Sequence, residues 1–239
     1  MTKLTLIQGD CLKVLPTLPD ESVDLILTDP PFNLGIDYGD AYDDNKERCE
    51  YIQFVKSFVK ECNTKLKNDG WFLCFCFSKD LFVFNDIMNE SGLKTQRPLI
   101  WYKPNANGFE MYEPCLIASR IEKKYPKSFS TVLKIPNLQK RSKEFVDHRC
   151  QRPIKLYDKI IANFGVKNGM VLDCFLGSGT TMEASLMNKM NCTGIEINPE
   201  YIDICKERLN WDSSLGDVEF EFKDMSSISH LTEAEGVLR

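Results

Sequence analysis

The chain reads as an α/β protein with a doubly wound, mainly parallel sheet, and three observations predict this. Strand-like and helix-like segments alternate along most of its 239 residues. The run Trp71–Phe77 is apolar at nearly every position, as a strand covered on both faces of a parallel sheet must be. The two stretches that stand out chemically, Asp29–Phe32 and Phe175–Thr181, each follow a strand, and in such sheets ligands bind at the carboxyl ends of the strands.

The elements follow in order. Leu4–Ile7 and Val23–Leu27 are short apolar strands. Tyr51, Phe54, Val55, Phe58, Val59, Cys62 and Leu66 fall at helical spacing and mark one amphipathic helix over about 46–67, stopped by Asn68-Asp69-Gly70. After the strand Trp71–Phe77 come a helix over 80–90, strands at Leu99–Tyr102 and Cys115–Ala118, and a loop over 103–113 rich in turn formers. Residues 120–150 have poor periodicity and high charge, and are expected to be an irregular insert outside the sheet. Order returns with a helix over Ile154–Phe164, the strand "MVLDCF", a glycine turn, a helix to about Lys189, the strand "CTGIEI", and a helix from Pro199 to Leu209 with Asn198 as its N-cap. The tail holds one alternating run, "VEFEF", with no partner evident from sequence. A single domain over 1–239 is expected, with 104–150 as an insert within it.

Composition narrows the class. Hydrophobic content of 43% with 27% charged residues is that of a globular chain. No apolar run approaches a membrane span and "MTKLTLIQGD" lacks a signal-peptide pattern, so a cytoplasmic location is expected. Ten scattered cysteines with two histidines (His148 and His230) and no C-x-x-C pair argue for buried free thiols and against a metal site. The net charge of −5 hides an asymmetry: residues 120–155 hold eleven basic side chains against three acidic ones. That surplus predicts a local anion-binding surface on an acidic body.

The glycine turn "VLDCFLGSGTT" admits close approach of a ligand at Gly177 and Gly179, yet position 182, where a dinucleotide fingerprint has its third glycine, is Met182. There is no Lys-Ser/Thr pair after the glycines, which excludes a P-loop. Glu196 ends the next strand at the offset where an acid binds ribose hydroxyls. A ligand with a ribose and no pyrophosphate fits, and S-adenosylmethionine has that description.

Four blocks, "QGDCLKVLPTLPDESVDLILTDPPF", "LIWYKPN", "HRCQRPIKLYDKII" and "VLDCFLGSGTTMEASLMNKMNCTGIEINPEYIDICKERL", occur in the order found in the β-class of S-adenosylmethionine-dependent DNA amino-methyltransferases, which the chain resembles over nearly its whole length. The resemblance implies the seven-stranded, Rossmann-like methyltransferase sheet. It also implies that Asp173, Phe175, Gly177, Ser178, Gly179, Thr180 and Thr181 wall the cofactor pocket. Glu196, flanked by Ile197 and Asn198, would bind the ribose, and Asp10 with Cys11 would meet the adenine. The stretch His148, Gln151, Arg152, Pro153 would close over the methionine end, with Asp29 nearby. The chain departs from the family's His-Pro-Thr-Gln-Lys-Pro by having His-Arg-Cys-Gln-Arg-Pro, and Cys174 stands where the family has proline.

In the family, Asp29, Pro30, Pro31 and Phe32 would form the catalytic motif. An exocyclic amine on a base is a poor nucleophile because its lone pair is delocalised into the ring. The Asp29 carboxylate and the Pro30 carbonyl, each accepting one N–H, would turn that lone pair toward the methyl sulfonium, while Phe32 stacks on the base flipped from double-stranded DNA. Asp at the first motif position accompanies N6-adenine enzymes in the family; N4-cytosine transfer and a non-catalytic DNA- or cofactor-binding regulator are the alternatives. The target-recognition candidate is 104–150, with Phe109, Tyr112, Tyr125 and Phe129, and with Lys103, Arg120, Lys123, Lys124, Lys127, Lys134, Lys140, Arg141 and Lys143 as DNA-binding candidates. It is short for this task, which suggests a short recognition site or a second subunit (a homodimer). A cognate restriction endonuclease is a further partner compatible with the resemblance.

Overall fold

In a computed structural model, residues 1–106, 111–126, 129–146, 150–211 and 217–228 are described. Ten strands enter one sheet, in the order β10-β1-β9-β8-β2-β3-β6-β5-β7, with β4 paired to β6. These are β1 (Thr2–Gln8), β2 (Val23–Thr28), β3 (Leu66–Phe75), β4 (Lys94–Thr95), β5 (Leu99–Tyr102), β6 (Tyr112–Ser119), β7 (Val132–Lys134), β8 (Met170–Asp173), β9 (Asn191–Glu196) and β10 (Val218–Asp224). The strands from β10 to β3 are mutually parallel, whereas β6 runs antiparallel to β3 and β5.

Side chains alternate between the two faces of the sheet, so each strand feeds two cores. Leu25, Leu27, Trp71, Leu73 and Phe75 face α4 (Ile154–Phe164), α5 (Thr180–Met187) and α6 (Pro199–Arg208). Ile26, Phe72, Cys74 and Cys76 face α1 (Cys11–Val14), α2 (Arg48–Lys65) and α3 (Leu81–Glu90). Along α4 the buried stripe is Leu156, Tyr157, Ile160, Ile161 and Phe164, and the Tyr157 ring stacks on Phe75 at 5.9 Å. Each such side chain contributes roughly 1.5–3 kcal/mol through burial.

Three expectations need correction, and one open question closes. The helix ends at Lys65, and Asn68-Asp69-Gly70 lies inside β3. There the register jumps from Val23↔Leu66 to Leu25↔Trp71, so the polar triplet forms an irregularity in the ladder instead of a stop between elements. That strand ends at Phe75, short of Phe77. The insert is not wholly outside the sheet, because β7 pairs in parallel with β5 at the edge. The tail run "VEFEF" finds its partner in β1, with Leu4 opposite Phe220.

From β8 the chain crosses to β9 on one side, and from β2 it crosses to β3 on the other. The β2–β8 seam is thus the point where the winding diverges, and a crevice opens there at the carboxyl ends of the strands.

Candidate active site at the seam of the sheet

A cavity open to solvent at its mouth occupies that crevice, with about 1060 Å³ of empty space when the mouth is included. Its lining includes Asp29, Pro30, Pro31 and Phe32 after β2, Asp173 at the end of β8 with Phe175, Gly177, Ser178, Thr180 and Thr181 beyond it, Glu196 at the end of β9 with Ile197 and Asn198 beyond it, Asp10 and Cys11 after β1, and Gln151 and Arg152. The two motifs are therefore brought face to face. Gly179 and Pro153 do not line it. Gly179 caps α5 with φ 86°, and a Cβ there would lie 2.6 Å from Cys205 Sγ, so this glycine is required by the packing of α6. Pro153 serves as the N-cap position of α4. His148 lies outside the described residues, as do Phe109, Lys127, Arg149 and His230.

Hydrogen bonds explain why the turn after β8 holds its shape. Asp173 Oδ1 accepts from Thr28 Oγ1 (2.9 Å) and from the Phe175 N–H (3.1 Å), and its Oδ2 accepts from Thr181. Burial pushes the Asp173 carboxyl up to about 6 against these donors. Cys174 is the position where the family carries proline, and here its backbone N–H donates to Thr28 Oγ1 at 3.2 Å, a bond proline could not make. Arg208 on α6 latches the same turn, donating to Thr180 Oγ1 at 2.9 Å and to the Ser178 carbonyl at 3.2 Å.

Glu196 is 7% exposed, and its carboxylate accepts from the Gly177 N–H (2.7 Å) and the Asn198 N–H (2.8 Å). Burial outweighs these bonds and lifts its carboxyl to about 7. Asn198 caps α6 through Oδ1 and ties the 35–44 loop by donating to the Tyr38 carbonyl at 3.1 Å. Asp10 likewise caps α1, accepting from the Leu12 N–H at 3.0 Å. Gln151 pins its own loop, accepting from the Val146 N–H and donating to the Glu144 carbonyl.

On the β2 side, the Pro31 carbonyl accepts from the Tyr51 hydroxyl at 3.1 Å, and Phe32 stacks with Phe77 at 6.5 Å. Asp29 Oδ2 accepts from Arg152 Nε at 2.5 Å, while Oδ1 is buried with no hydrogen-bond partner among the described residues. Burial raises the Asp29 carboxyl, and the adjacent Arg152 guanidinium pulls it back. Arg152 lines the cavity with its charge already paired, one arm on Asp29 and the other in an ion pair with Glu113 on β6. Glu113, Tyr38, Tyr42, Phe54 and Tyr157 were missed as site residues by sequence reasoning. Phe54 and Tyr157 read as ordinary core positions of helices, and Glu113 sat in a presumed loop; an acid beside Pro114 was the one signal available.

The donor set suits a cationic nucleoside. Asp10, Asp29, Asp173 and Glu196 line one cavity, walled by Phe54, Phe175, Ile36 and Tyr42, and among the described residues the only basic side chain in the lining, Arg152, is already paired with two carboxylates. A pyrophosphate would be repelled there. Among the described residues no cluster fit to hold a metal ion occurs, and no helix is long and apolar enough to cross a membrane.

The basic candidates do not form one surface. Because β6 runs antiparallel to β3, it carries the chain from the cavity rim to the opposite rim, where Arg120 donates to Asn63 and Glu21, and Lys123 lies 4.3 Å over the Trp71 ring. Arg120, Lys123 and the exposed Lys124 next to it are thereby removed from the cavity side. Lys103 is 5% exposed and paired with Glu113, so it is an internal charge instead of a DNA contact. The parallel pairing of β7 with β5 returns the chain to the cavity rim, and Lys134, Lys140, Arg141 and Lys143 are exposed there or just beyond.

The N6/N4 methyltransferase family model, described as DNA methylase, matches residues 23–125 and 110–207. The chain belongs to the N6/N4 DNA methylase family. The Type II methyltransferase M.HpaI of Haemophilus parainfluenzae is 31% identical over 232 residues, covering 86% of this chain and 74% of that protein. Among solved structures, the M1.HpyAVI complex with S-adenosylmethionine superposes with a TM-score of 0.71 at 23% identity, covering 87% of this chain and 99% of the other. The PvuII DNA methyltransferase, described as cytosine-N4-specific, also reaches 0.71, at 22% identity and with 95% and 97% covered. This N6/N4 methylase therefore shares its fold with both.

Proposed function

We propose that this N6/N4 methylase transfers a methyl group from S-adenosylmethionine to the N6 amine of an adenine flipped out of double-stranded DNA. The observation that carries the reading is Asp29 Oδ1, a buried carboxylate oxygen without a hydrogen-bond partner among the described residues, set just past β2 beside the glycine turn after β8. S-adenosylmethionine supplies an electrophilic methyl on a sulfonium when bound. Glu196 would accept from its ribose hydroxyls, Asp10 and Cys11 would meet its adenine, and the turn from Asp173 to Thr181 would wall its methionine part.

The chain's own groups perform the rest. Asp29 Oδ1 and the Pro30 carbonyl each accept one N–H of the target amine, which turns the nitrogen lone pair toward the methyl carbon. A hydrogen bond to a charged acceptor contributes about 1.5–3 kcal/mol. Fixing the approach contributes more, because a reacting pair held in line avoids the entropic cost of encounter. The proton leaves after transfer, so no strong base is needed. Extruding the base costs a few kcal/mol, and stacking on Phe32 offsets roughly 1–3 of it. Lys134, Lys140, Arg141 and Lys143 would contact phosphates along the cavity rim.

The test is transfer of tritiated methyl to unmethylated DNA followed by digestion to nucleosides. The expected label is N6-methyl-2′-deoxyadenosine; label in N4-methyl-2′-deoxycytidine moves the specificity to cytosine, and no label from a folded, cofactor-binding protein refutes the enzymatic reading.

A further inference from the structure

We infer that Arg152 is a positioning residue for Asp29, held in place by a buried chain of alternating charge that continues through Glu113 to Lys103. The inference rests on Asp29 accepting from the target amine, and adds how that acceptor is aimed.

The four groups come from four separate places in the fold. Asp29 follows β2, Lys103 follows β5, Glu113 lies on β6 and Arg152 precedes α4. Arg152 Nε holds Asp29 Oδ2 at 2.5 Å, Arg152 Nη1 pairs with Glu113 Oε2, and Lys103 Nζ takes Glu113 Oε1. Each side chain in the chain is at most 18% exposed. The guanidinium is also walled by aromatic rings, with its centre 5.9 Å from Phe32, 5.6 Å from Phe75 and 5.2 Å from Trp101.

This arrangement selects one oxygen of Asp29. The two carboxylate oxygens are chemically equivalent and exchange by rotation about χ2. A guanidinium whose plane is fixed by three rings and whose far arm is tied to Glu113 grips Oδ2 and leaves Oδ1 for the cavity. An ammonium at position 152 would be a point charge without the fork that joins two carboxylates. Burying four charges carries a desolvation cost that their mutual attraction must first offset, so the chain is a poor stabilising device compared with apolar packing. Its placement against the acceptor carboxylate points instead to a functional use.

The remaining titratable groups around Asp29 do not compete. The Cys74, Cys76, Cys115 and Cys150 thiols and the Tyr38 and Tyr157 phenols are all pushed by burial away from ionisation. The near charges are then Arg152, Glu113, Lys103 and Asp173. Arg152 and Lys103 favour the ionised Asp29, and burial with Glu113 opposes it.

The experiment is the single-turnover methylation rate against pH for the full chain and its Arg152→Gln, Arg152→Lys, Glu113→Gln and Asp29→Asn variants, with S-adenosylmethionine affinity and thermal unfolding measured on each. Arg152→Gln should move the acidic limb of the profile upward by about one pH unit or more, because an opposite charge this close shifts a carboxyl by about 1–3 units, and should leave the alkaline plateau below the parent's, because Asp29 Oδ2 is no longer gripped. Arg152→Lys should restore the limb but not the plateau, and Glu113→Gln should lower the plateau without raising the limb. An unmoved limb in Arg152→Gln with an inactive Asp29→Asn overturns the positioning role and leaves Asp29 as the acceptor. A fully active Asp29→Asn overturns that acceptor reading itself. Should Arg152→Gln fail to fold, Arg152→Lys decides: a parental plateau refutes the inference.

Discussion

Replacing Glu196 by Gln keeps the size of the side chain and removes one charge. In the parent both carboxylate oxygens accept backbone N–H groups, from Gly177 and Asn198, and burial raises the group to about 7. A ribose hydroxyl donating to the ionised carboxylate contributes about 1.5–3 kcal/mol, so the amide should weaken S-adenosylmethionine binding by about tenfold to a little over a hundredfold. The pH dependence is the sharper readout. If the ionised form binds, affinity falls with the ionised fraction, and the parent should lose about tenfold between pH 8 and pH 6, whereas the Gln variant should be flat. The same proton reports on stability. The folded carboxyl sits above its ordinary value of 4.5, so between about pH 4.5 and pH 7 the unfolded chain has released a proton that the folded chain keeps, and stability falls as pH rises through that window. The loss should amount to about 3 kcal/mol, at 1.36 kcal/mol per unit, and should vanish in the variant. Isothermal titration at several pH values and urea unfolding measure both. A Gln variant that binds as tightly as the parent, with the parent's pH slope, would refute the placement of the ribose at Glu196.

Two further outcomes follow from the packing and the charge map. Gly179→Ala should destabilise the fold by roughly 2–5 kcal/mol, since it combines a left-handed backbone with a Cβ 2.6 Å from Cys205 Sγ; in urea unfolding, adding Cys205→Ala should recover the overpacking share and leave the backbone share. Neutralising Lys134, Lys140, Arg141 and Lys143 together should flatten the salt dependence of DNA binding by about 0.9 in log–log slope per lost phosphate contact, while neutralising Lys123 and Lys124 on the far rim should leave the slope unchanged.

Much of the fold was legible because the signals are local. Trp71 to Phe75 alternate between two cores and so read as apolar throughout, and Asn198-Pro199 marks the start of α6 chemically. What escaped is set by long-range pairing. The three residues of β7 carry too little pattern to announce a strand, and β10 makes sense only beside β1. Charge counted along the chain cannot show that β6 turns the chain to the other rim, which is why Arg120 and Lys143 read as neighbours in purpose. Within the site, the acids and glycines of the motifs were visible, whereas the partner of Arg152 was not, since Glu113 meets it only through the antiparallel β6.

The two halves of the proposed active site meet along a short ladder, Leu25↔Val171 and Ile26↔Leu172, and this ladder would act as a gauge for the reaction. A slip of one residue along it would displace Asp29 by about 3.3 Å relative to the glycine turn and invert which side chains face each core. Misplacement of about 1 Å already costs on the order of a hundredfold in rate. Substitutions that loosen these four apolar residues should therefore harm catalysis before they unfold the protein, although none of them lines the cavity.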